Sequence, residues 1–349
     1  MSVAATAERR SGLADSTNAR RLVDLVFRAR EFGIIAVLIL LVTATAIAEP
    51  RFVDLTNIQF ILVDTTIFAL LALGETMVIV SRNVDLSIGS VVGLSAYVSA
   101  SLFGKVHGIP IVVVFLAGLG IGLAVGVANG LMVAIGRVPS LVVTLATLYI
   151  VRGLDILIVG GNEVVAQTLP NAFIEIPRAG VYGIPYLAIV IAAVIGIGAY
   201  YLRSYRSGRE LYAIGSNPEA ARLAGIRVGR RVFTAFAVSG AIAGVAGVLW
   251  AAQYQTVDSN AGTGYELTVI ASVVVGGVAI FGGSGSAVGA AIGALLLQTI
   301  NSALYVLGIS PFWDQAIAGA LLLAAITLDR VISLRLTAAL RRRSAGVGT

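Results

Sequence analysis

Residues 109–135 read IPIVVVFLAGLGIGLAVGVANGLMVAI, a stretch without a single charged side chain. A transmembrane helix needs roughly 20 consecutive apolar residues, so this stretch is long enough to cross a bilayer. Small residues recur in it every four positions, at Gly118, Gly122, Gly126 and Gly130. Such a ladder lets two helix backbones approach closely in lipid. We therefore predict a membrane-spanning helix that packs tightly through its glycine face.

The rest of the chain repeats this pattern. Of its 349 residues 58% are hydrophobic and 12% are charged, with a mean hydropathy of +0.96. Soluble domains carry about 25% charged residues. The apolar windows do not alternate with polar residues, which excludes a transmembrane β-barrel. We predict an all-α polytopic membrane protein of about ten transmembrane helices, near 33–48, 58–80, 86–104, 109–135, 139–159, 184–202, 232–252, 265–282, 286–307 and 311–329.

The arginines predict the orientation of these helices. If the N-terminus is cytoplasmic, 20 arginines fall in cytoplasmic segments, whereas only Arg51, Lys105 and Arg178 fall on the other side. Basic residues concentrate in cytoplasmic loops. We expect both termini in the cytoplasm.

This orientation divides the chain into three segments. We expect a cytoplasmic N-terminal segment at 1–32, a transmembrane domain at 33–329 with a cytoplasmic loop at 203–231, and a cytoplasmic basic tail at 330–349. The first apolar window ends in the sequence Ala-Ile-Ala, as a signal peptide can, but the basic segment before it is too long for one. We expect this window to be retained as the first span.

Composition excludes several kinds of site. The chain has no cysteine and one histidine, His107, beside its only lysine, Lys105. We interpret His107 as a loop residue, with a proton relay as the alternative. Thiolate metal sites and cysteine nucleophiles are excluded. The basic residues lie at the ends of segments and do not form one face, so we predict no nucleic-acid binding.

The cytoplasmic loop contains a short helix with clear start and stop signals. Residues 208–226 read GRELYAIGSNPEAARLAGI. Asn217 suits the N-cap, Pro218 suits the first helical position, and Gly225 suits the end. The helix could dock into another protein or could be an amphipathic connector, and its own residues do not decide between the two.

This loop resembles the coupling segment of a known family, the inner-membrane permeases of ABC importers of the ribose, galactose, xylose and rhamnose type. The stretches Val84–Ser90, Ala261–Leu267 and the glycines at 276–285 also fit, in the order and spacing of the family. The resemblance covers roughly residues 55–330. The Arg-Glu-Phe-Gly sequence at 30–33 is closer to the rhamnose and autoinducer-2 branch.

The resemblance implies a type II ABC importer-like bundle that carries a sugar or sugar-like solute across the bacterial inner membrane. It also implies an ATP-binding cassette ATPase, a periplasmic or extracellular solute-binding protein, and a second permease copy or homologue as partners. Selectivity would reside largely in the binding protein. The residues expected to couple to the ATPase are Gly208, Arg209, Gly215, Asn217, Pro218, Ala220, Ala221, Arg222 and Gly225.

The chain lacks the motif that would bind a nucleotide. A phosphate-binding loop places a lysine after its glycines, and the glycine-rich stretch 282–293 has none. We therefore expect no cofactor in this chain, with ATP and Mg²⁺ bound by the partner ATPase. Catalytic groups at suitable spacing are also absent, so we predict a non-enzymatic subunit.

Polar residues inside the predicted spans are candidates for a solute path, because burying them in lipid is costly. Four form a stripe at helical spacing on the ninth span: Gln298, Asn301, Ser302 and Tyr305. Hydrogen bonds between helices would explain the stripe equally well. Further candidates for the path are Glu75, Asn129 and Glu266.

We favour structural roles for three other charged residues. Arg152 and Asp155 lie one helical turn apart, so we interpret them as an ion pair, with a solute site as the alternative. Asp85 precedes the third span, where it could cap that helix or line the path, and we favour capping. An ion-coupled secondary transporter that uses Glu75 remains the alternative function.

Overall fold

The structure is a computed structural model that describes residues 33–310 and 312–346. The predictions for residues 1–32 and for the last three residues lie outside this range. The described chain is a bundle of helices: α1 Gly33–Ala48, α2 Leu55–Val80, α3 Ile88–Lys105, α4 Ile111–Ala134, α5 Ser140–Val159, α6 Asn171–Ile174, α7 Tyr186–Ser204, α8 Arg206–Ser216, α9 Pro218–Leu223, α10 Val228–Tyr254, α11 Tyr265–Val275, α12 Ala287–Val306 and α13 Trp313–Gly346.

Three short elements complete the described chain. Two are 3₁₀ turns, at Pro50–Val53 and Ala166–Thr168. The third is a small antiparallel hairpin of β1 (Gly180–Val181) and β2 (Ile184–Pro185), which immediately precedes α7. The all-α polytopic fold predicted from hydropathy is confirmed.

Helix α2 lies at the centre of the bundle. Its apolar window is 94% buried, against 22% for α4 and 22% for α7. It packs against α7, α10, α11 and α12. Its polar residues are therefore enclosed by protein, whereas much of α4 and α7 faces outward with the apolar side chains that lipid requires.

The glycine ladder of α4 packs against a second ladder on α10. A β-carbon added to Gly122 would lie 2.1 Å from the carbonyl oxygen of Gly240, and one added to Gly118 would lie 2.9 Å from that of Gly244. In the other direction, a β-carbon on Gly244 would lie 2.1 Å from the carbonyl oxygen of Gly118. The close packing predicted for the glycine face is therefore present, and its partner is α10.

Each of the ten predicted windows contains one helix, and six helices of the described part are long and apolar enough to cross a membrane. The window at 265–282 was wrong in its extent, because α11 ends at Val275. Gly277, Gly282 and Gly283 have positive φ angles of 97°, 81° and 83°. Glycine adopts this conformation freely and a helix does not contain it. Residues 276–286 therefore form a loop, which we call the glycine loop.

The helix in the last window is longer than the predicted span, and its apolar part, Trp313–Thr327, lies within that window. The structure continues α13 from Trp313 to Gly346, well past the predicted end of the span at 329. The hydropathy falls after Thr327, but a fall in hydropathy does not itself end a helix, because arginine, leucine and alanine all favour helix.

Candidate functional site: a cavity and a capped helical segment along the central helix

A small cavity lies beside the N-terminal half of the central helix α2, at Asp64 and Phe68. It has a volume of about 80 Å³, and five different helices and the loop before α11 line it. The lining residues are Asp64, Phe68, Tyr254, Thr263, Gly264, Tyr265, Thr268, Asn301, Asp314 and Gln315. We call this site the aromatic cavity.

Aromatic side chains form the wall of the cavity and contact one another. The rings of Phe68 and Tyr265 have centroids 4.5 Å apart. Trp250 Nε1 donates a hydrogen bond of 2.8 Å to Tyr265 Oη, and the Trp250 ring lies 4.6 Å from that of Tyr254. These contacts join four large rings from α2, α10 and α11, of which those of Phe68, Tyr254 and Tyr265 line the cavity.

The polar groups of the cavity are carboxylates, side-chain amides and hydroxyls. Tyr254 Oη donates a hydrogen bond to Asp64 Oδ1, and Asp64 is 5% exposed. Asp314 from α13 and Asn301 from α12 face the same space. No arginine or lysine lines it within the described residues. The cavity therefore combines flat apolar faces with carboxylate and amide groups, and its electrostatic character is acidic.

The ion pair Arg152–Asp155 holds the loop that borders the cavity. Arg152 Nη1 lies 3.5 Å from Asp155 Oδ2 and donates a hydrogen bond of 2.8 Å to the carbonyl oxygen of Ala261. The cavity residues Thr263 and Gly264 follow directly. Neither member of the pair lines the cavity, and the pair contacts the loop beside it.

The structure separates the stripe predicted on α12. Of its four members only Asn301 lines the cavity. Ser302 Oγ donates a hydrogen bond of 2.9 Å to Asn57 Oδ1 on α2, so it joins two helices. Gln298 is 3% exposed, and Tyr305 is 78% exposed. The four side chains therefore point in different directions around α12. Asn301 faces the cavity, Ser302 faces α2, and Tyr305 faces the outside of the protein.

Glu75 and Asn129 belong to a separate polar cluster, closer to the other end of α2. Glu75 Oε1 accepts a hydrogen bond of 3.1 Å from the backbone N–H of Asp85, and Asn129 Nδ2 donates one of 2.9 Å to Ser87 Oγ. Thr147 Oγ1 donates to Asn129 Oδ1 at 2.7 Å. These bonds join α2, α4 and α5 to the turn before α3, and neither Glu75 nor Asn129 lines the aromatic cavity.

Asp85 and Glu266 are held by contacts around α3. Asp85 Oδ1 accepts hydrogen bonds from Ser87 N at 2.9 Å and Ser87 Oγ at 2.6 Å, just before α3 begins at Ile88. Asp85 thus shapes the turn that leads into α3, although it is not the N-cap residue. Glu266 packs against the same helix, because a β-carbon on Gly89 would lie 2.3 Å from Glu266 Oε2.

The segment α8–α9 lies at the C-terminal end of α2, where Gly215 packs against Val80. Asn217 Oδ1 accepts hydrogen bonds from Glu219 N at 3.1 Å and Ala220 N at 3.0 Å, which confirms the predicted N-cap. Pro218 opens α9, and Gly225 follows its end with a φ of 79°. The segment folds as its local sequence predicts.

Helix α8 is fixed to the bundle through backbone contacts. A β-carbon on Gly215 would lie 1.9 Å from the carbonyl oxygen of Val80 and 2.4 Å from Gly283 N. Tyr212 Oη donates a hydrogen bond of 3.0 Å to the carbonyl oxygen of Gly285, and burial raises the pKa of Tyr212 to about 12. The end of α2, the glycine loop and α8 are thus packed as one unit.

This packing divides the predicted coupling residues into two faces. Gly208, Gly215 and Ala221 are buried against the bundle, so they offer no free surface to a partner. Pro218 is half-buried. An outward face consists of Arg209, Asn217, Ala220, Arg222 and Gly225, together with Leu223, whose side chain is 91% exposed and which the sequence did not single out.

Glu210 fastens α8 to the neighbouring helix α10. Its carboxylate accepts a hydrogen bond of 2.8 Å from Arg206 Nε and another from Arg231 Nε. The bond to Arg231, with that to Arg206, lowers the pKa of Glu210 below its usual range. A charged Glu210 therefore helps to hold α8 in place.

Comparison with known protein families identifies the family of this chain. The family described as branched-chain amino acid transport system, permease component, matches residues 57–326. The chain belongs to this family. The permease is a multi-pass protein of the bacterial inner membrane.

Curated relatives extend the similarity beyond the matched region. The permease is 33% identical over 304 residues to the autoinducer 2 import system permease protein of Enterobacter sp. (strain 638), which covers 87% of this chain and 88% of the relative. It is 33% identical over 319 residues to the ribose import permease protein of Escherichia coli (strain K12), which covers 90% and 98%. No solved structure matches the chain.

The aromatic cavity was missed by sequence reasoning. Its lining comes from Asp64 at one end of the chain to Gln315 near the other, and these positions share no local spacing. The available signal was a cluster of aromatic residues in otherwise aliphatic windows: Trp250, Tyr254 and Tyr265. Aromatic residues are also common at membrane interfaces, so this signal alone does not mark a site.

Proposed function

We propose that the permease forms the membrane pathway of an ATP-binding cassette importer for a monosaccharide or sugar-like solute. The observation that carries this proposal is the lining of the aromatic cavity. Sugar hydroxyls need hydrogen-bond acceptors and donors, which Asp64, Asn301 and Asp314 supply. Aromatic faces such as those of Phe68 and Tyr265 suit the apolar C–H faces of a sugar ring.

The same lining argues against an amino acid as the solute. The family description includes branched-chain amino acids, whereas the two relatives are named for autoinducer 2 and ribose. The carboxylate of a free amino acid is buried at least cost beside a cationic group, and neighbouring carboxylates would repel it. The cavity presents Asp64 and Asp314 with no arginine or lysine among its described lining residues. A neutral, hydroxyl-rich solute fits this environment better.

The outward face of α8–α9 supports a partner ATPase. The face combines the capped helix α9 with exposed Leu223, on a segment that is packed firmly onto the end of α2. A force on this segment would reach α2, which lines the cavity with Asp64 and Phe68. In this proposal the ATPase binds ATP and Mg²⁺, a solute-binding protein delivers the solute at the cavity end, and a second permease copy or homologue completes the pathway.

Uptake of labelled solutes by cells that carry the complete importer tests the proposal. We expect uptake of a sugar from a monosaccharide panel, and Asn301→Leu should lower it about tenfold, because a buried sugar hydroxyl would lose its partner. Tyr149→Phe, which removes a hydroxyl from an exposed position on α5, should leave uptake unchanged. Equal uptake by the Asn301 variant and the wild type would exclude the cavity from the path.

A second arm separates the proposal from ion-coupled transport through Glu75. Deleting the partner ATPase should abolish uptake, and collapsing the proton gradient while ATP is maintained should not. The reverse pair of results would reject the ATP-driven mechanism. Uptake of leucine or isoleucine in place of sugars would keep the mechanism but reject the proposed solute class.

A further inference from the structure

A second pocket lies beside α8 and is lined almost entirely by arginine. Its volume is about 200 Å³, and α8, α10 and the turn between α9 and α10 form its walls. The lining residues are Arg206, Glu210, Gly225, Arg227, Arg230 and Arg231. We call it the arginine pocket. Four guanidinium groups and one carboxylate leave it with a net charge of +3.

The ion pairs within this pocket leave hydrogen-bond donors of its arginines unused. Arg206 and Arg231 each bond to Glu210 through Nε, so the hydrogen bonds to Glu210 leave their terminal Nη nitrogens free. Arg227 and Arg230 have no acidic partner among the described residues. Like charges gathered in a concave site repel one another unless an anion neutralises them. A negatively charged ligand would therefore be attracted to the pocket.

The planar shape of the guanidinium groups indicates that the anion is a phosphate. A guanidinium presents several N–H donors in a planar fork that matches the oxygens of a phosphate. Glu210 fixes two of the four forks in position, which reduces the conformational entropy that binding would cost. The pocket volume exceeds that of a water molecule by several times and has room for a phosphate with part of its ester group.

The surroundings of the pocket place it at a membrane surface. Helix α7 ends in an aromatic cluster immediately before Arg206. The rings of Tyr200 and Tyr205 have centroids 6.1 Å apart, and those of Tyr201 and Tyr205 are 5.7 Å apart. Tyr200 and Tyr205 are 63% and 57% exposed. Exposed tyrosines at the end of an apolar helix are typical of the headgroup region of a bilayer.

We propose that the arginine pocket binds the phosphate group of an anionic ligand, and that its position favours the headgroup of an acidic phospholipid. Basic pockets between membrane helices bind such headgroups. Because the pocket joins α8 to α10, an occupied pocket would stabilise the attachment of the α8–α9 segment to the bundle. This inference is independent of the transported solute.

The test measures the thermal stability of the purified full-length permease in detergent, titrated with short-chain phosphatidylglycerol, with phosphatidylcholine, or with free glycerol phosphate. We expect phosphatidylglycerol to raise the melting temperature and phosphatidylcholine to have no effect. Arg227→Gln with Arg230→Gln should weaken the phosphatidylglycerol effect roughly tenfold for each arginine removed, as expected for charge-assisted hydrogen bonds.

A matched control removes the same charge elsewhere. Arg137→Gln with Arg203→Gln changes two exposed arginines outside the pocket and should respond to phosphatidylglycerol as the wild type does. An equal effect of glycerol phosphate would assign the phosphate to a soluble ligand, whereas an effect of the lipid alone would assign it to the membrane. If both double variants respond like the wild type, or if both lose the response equally, the pocket is not a phosphate site.

A remaining outcome identifies a different ligand. If the pocket variant keeps its response to phosphatidylglycerol but loses binding of the partner ATPase, the arginines bind an acidic protein surface and the proposal is rejected. Melting curves without any ligand show whether the variants are folded. We expect them to be, because Arg227 and Arg230 are exposed and their replacement removes no core contact.

Discussion

Single glycines determine how closely α4 and α10 approach. At Gly122 the two backbones touch, whereas at Gly120, on the same helix, no heavy atom lies within 4 Å of an added β-carbon. Substituting Gly120 and Gly122 in turn therefore separates the packing role of a glycine from its effect on helix propensity.

We expect Gly122→Ala to lower the stability of the permease by about 1–3 kcal/mol, the usual cost of overpacking a dense interface. Gly120→Ala should be neutral or stabilising by up to about 1 kcal/mol, because alanine favours helix over glycine. Thermal unfolding in detergent compares the two. A loss of stability in the Gly120 variant that equals that of the Gly122 variant would contradict the packing model.

A second residue-scale prediction concerns Glu210. Its pKa is lowered in the folded protein, so its bonds to Arg206 and Arg231 contribute stability above the ordinary carboxyl pKa of 4.5, and this contribution is lost as the pH falls through the lower folded value. Glu210→Gln should lower the melting temperature at pH 7 by a few degrees. The difference from the wild type should shrink below about pH 4.5, and a constant difference at all pH values would refute the assignment.

At the scale of elements, the α8–α9 segment has one face for the bundle and one for a partner. The cap at Asn217 and the stop at Gly225 follow from local chemistry and were predictable. The burial of Gly215 was not, because it depends on the carbonyl of Val80, more than a hundred residues earlier in the chain. Gly215 is therefore a poor probe of docking, since any side chain there disturbs the fold.

Exposed positions test the docking face. Leu223→Asp should abolish or strongly reduce binding of the partner ATPase without changing the melting temperature of the isolated permease, because the side chain is 91% exposed. His107→Asp, which adds a negative charge to an exposed loop after α3, is the matched control and should bind the ATPase normally. Gly215→Ala should instead destabilise the permease. Normal ATPase binding by the Leu223 variant would remove the docking proposal.

The glycine loop shows how an element can be misread. Hydropathy continues through residues 265–282, so composition alone predicts one span, whereas positive φ angles stop α11 at Val275. The conformation of these glycines is required by neighbours distant in the chain: Gly283 packs against Ser216, and its N–H donates to the carbonyl oxygen of Val80 at 3.0 Å. The sequence contained the glycines but not the contacts that bend them.

At the scale of the whole molecule, the orientation in the membrane can be tested directly. The chain has no cysteine, so a single introduced thiol is labelled without background. Tyr182, which is 99% exposed, precedes α7, and Leu223, which is 91% exposed, follows it in the chain. The two residues therefore test the two ends of this helix.

We expect a membrane-impermeant thiol reagent to label Tyr182→Cys in right-side-out vesicles and Leu223→Cys only in inside-out vesicles. The arginine distribution predicts this orientation. Labelling of both positions from the same side would show that α7 does not cross the membrane, and the reverse pattern would invert the topology.

The amino-acid sequence by itself determined the class of the protein, the position of every long apolar helix, the glycine ladder of α4 and the cap of α9. These features depend on hydropathy and on spacings of three or four residues, which are visible locally. The tertiary structure alone decided which polar residues meet. It brought Asp64, Tyr254 and Asn301 into one cavity, turned Tyr305 outward, and buried Gly215 of α8 against the end of α2. The physical reason is that a cavity or an interface is formed by helices distant in the chain, and the rotation of each helix about its axis is set by packing against the others.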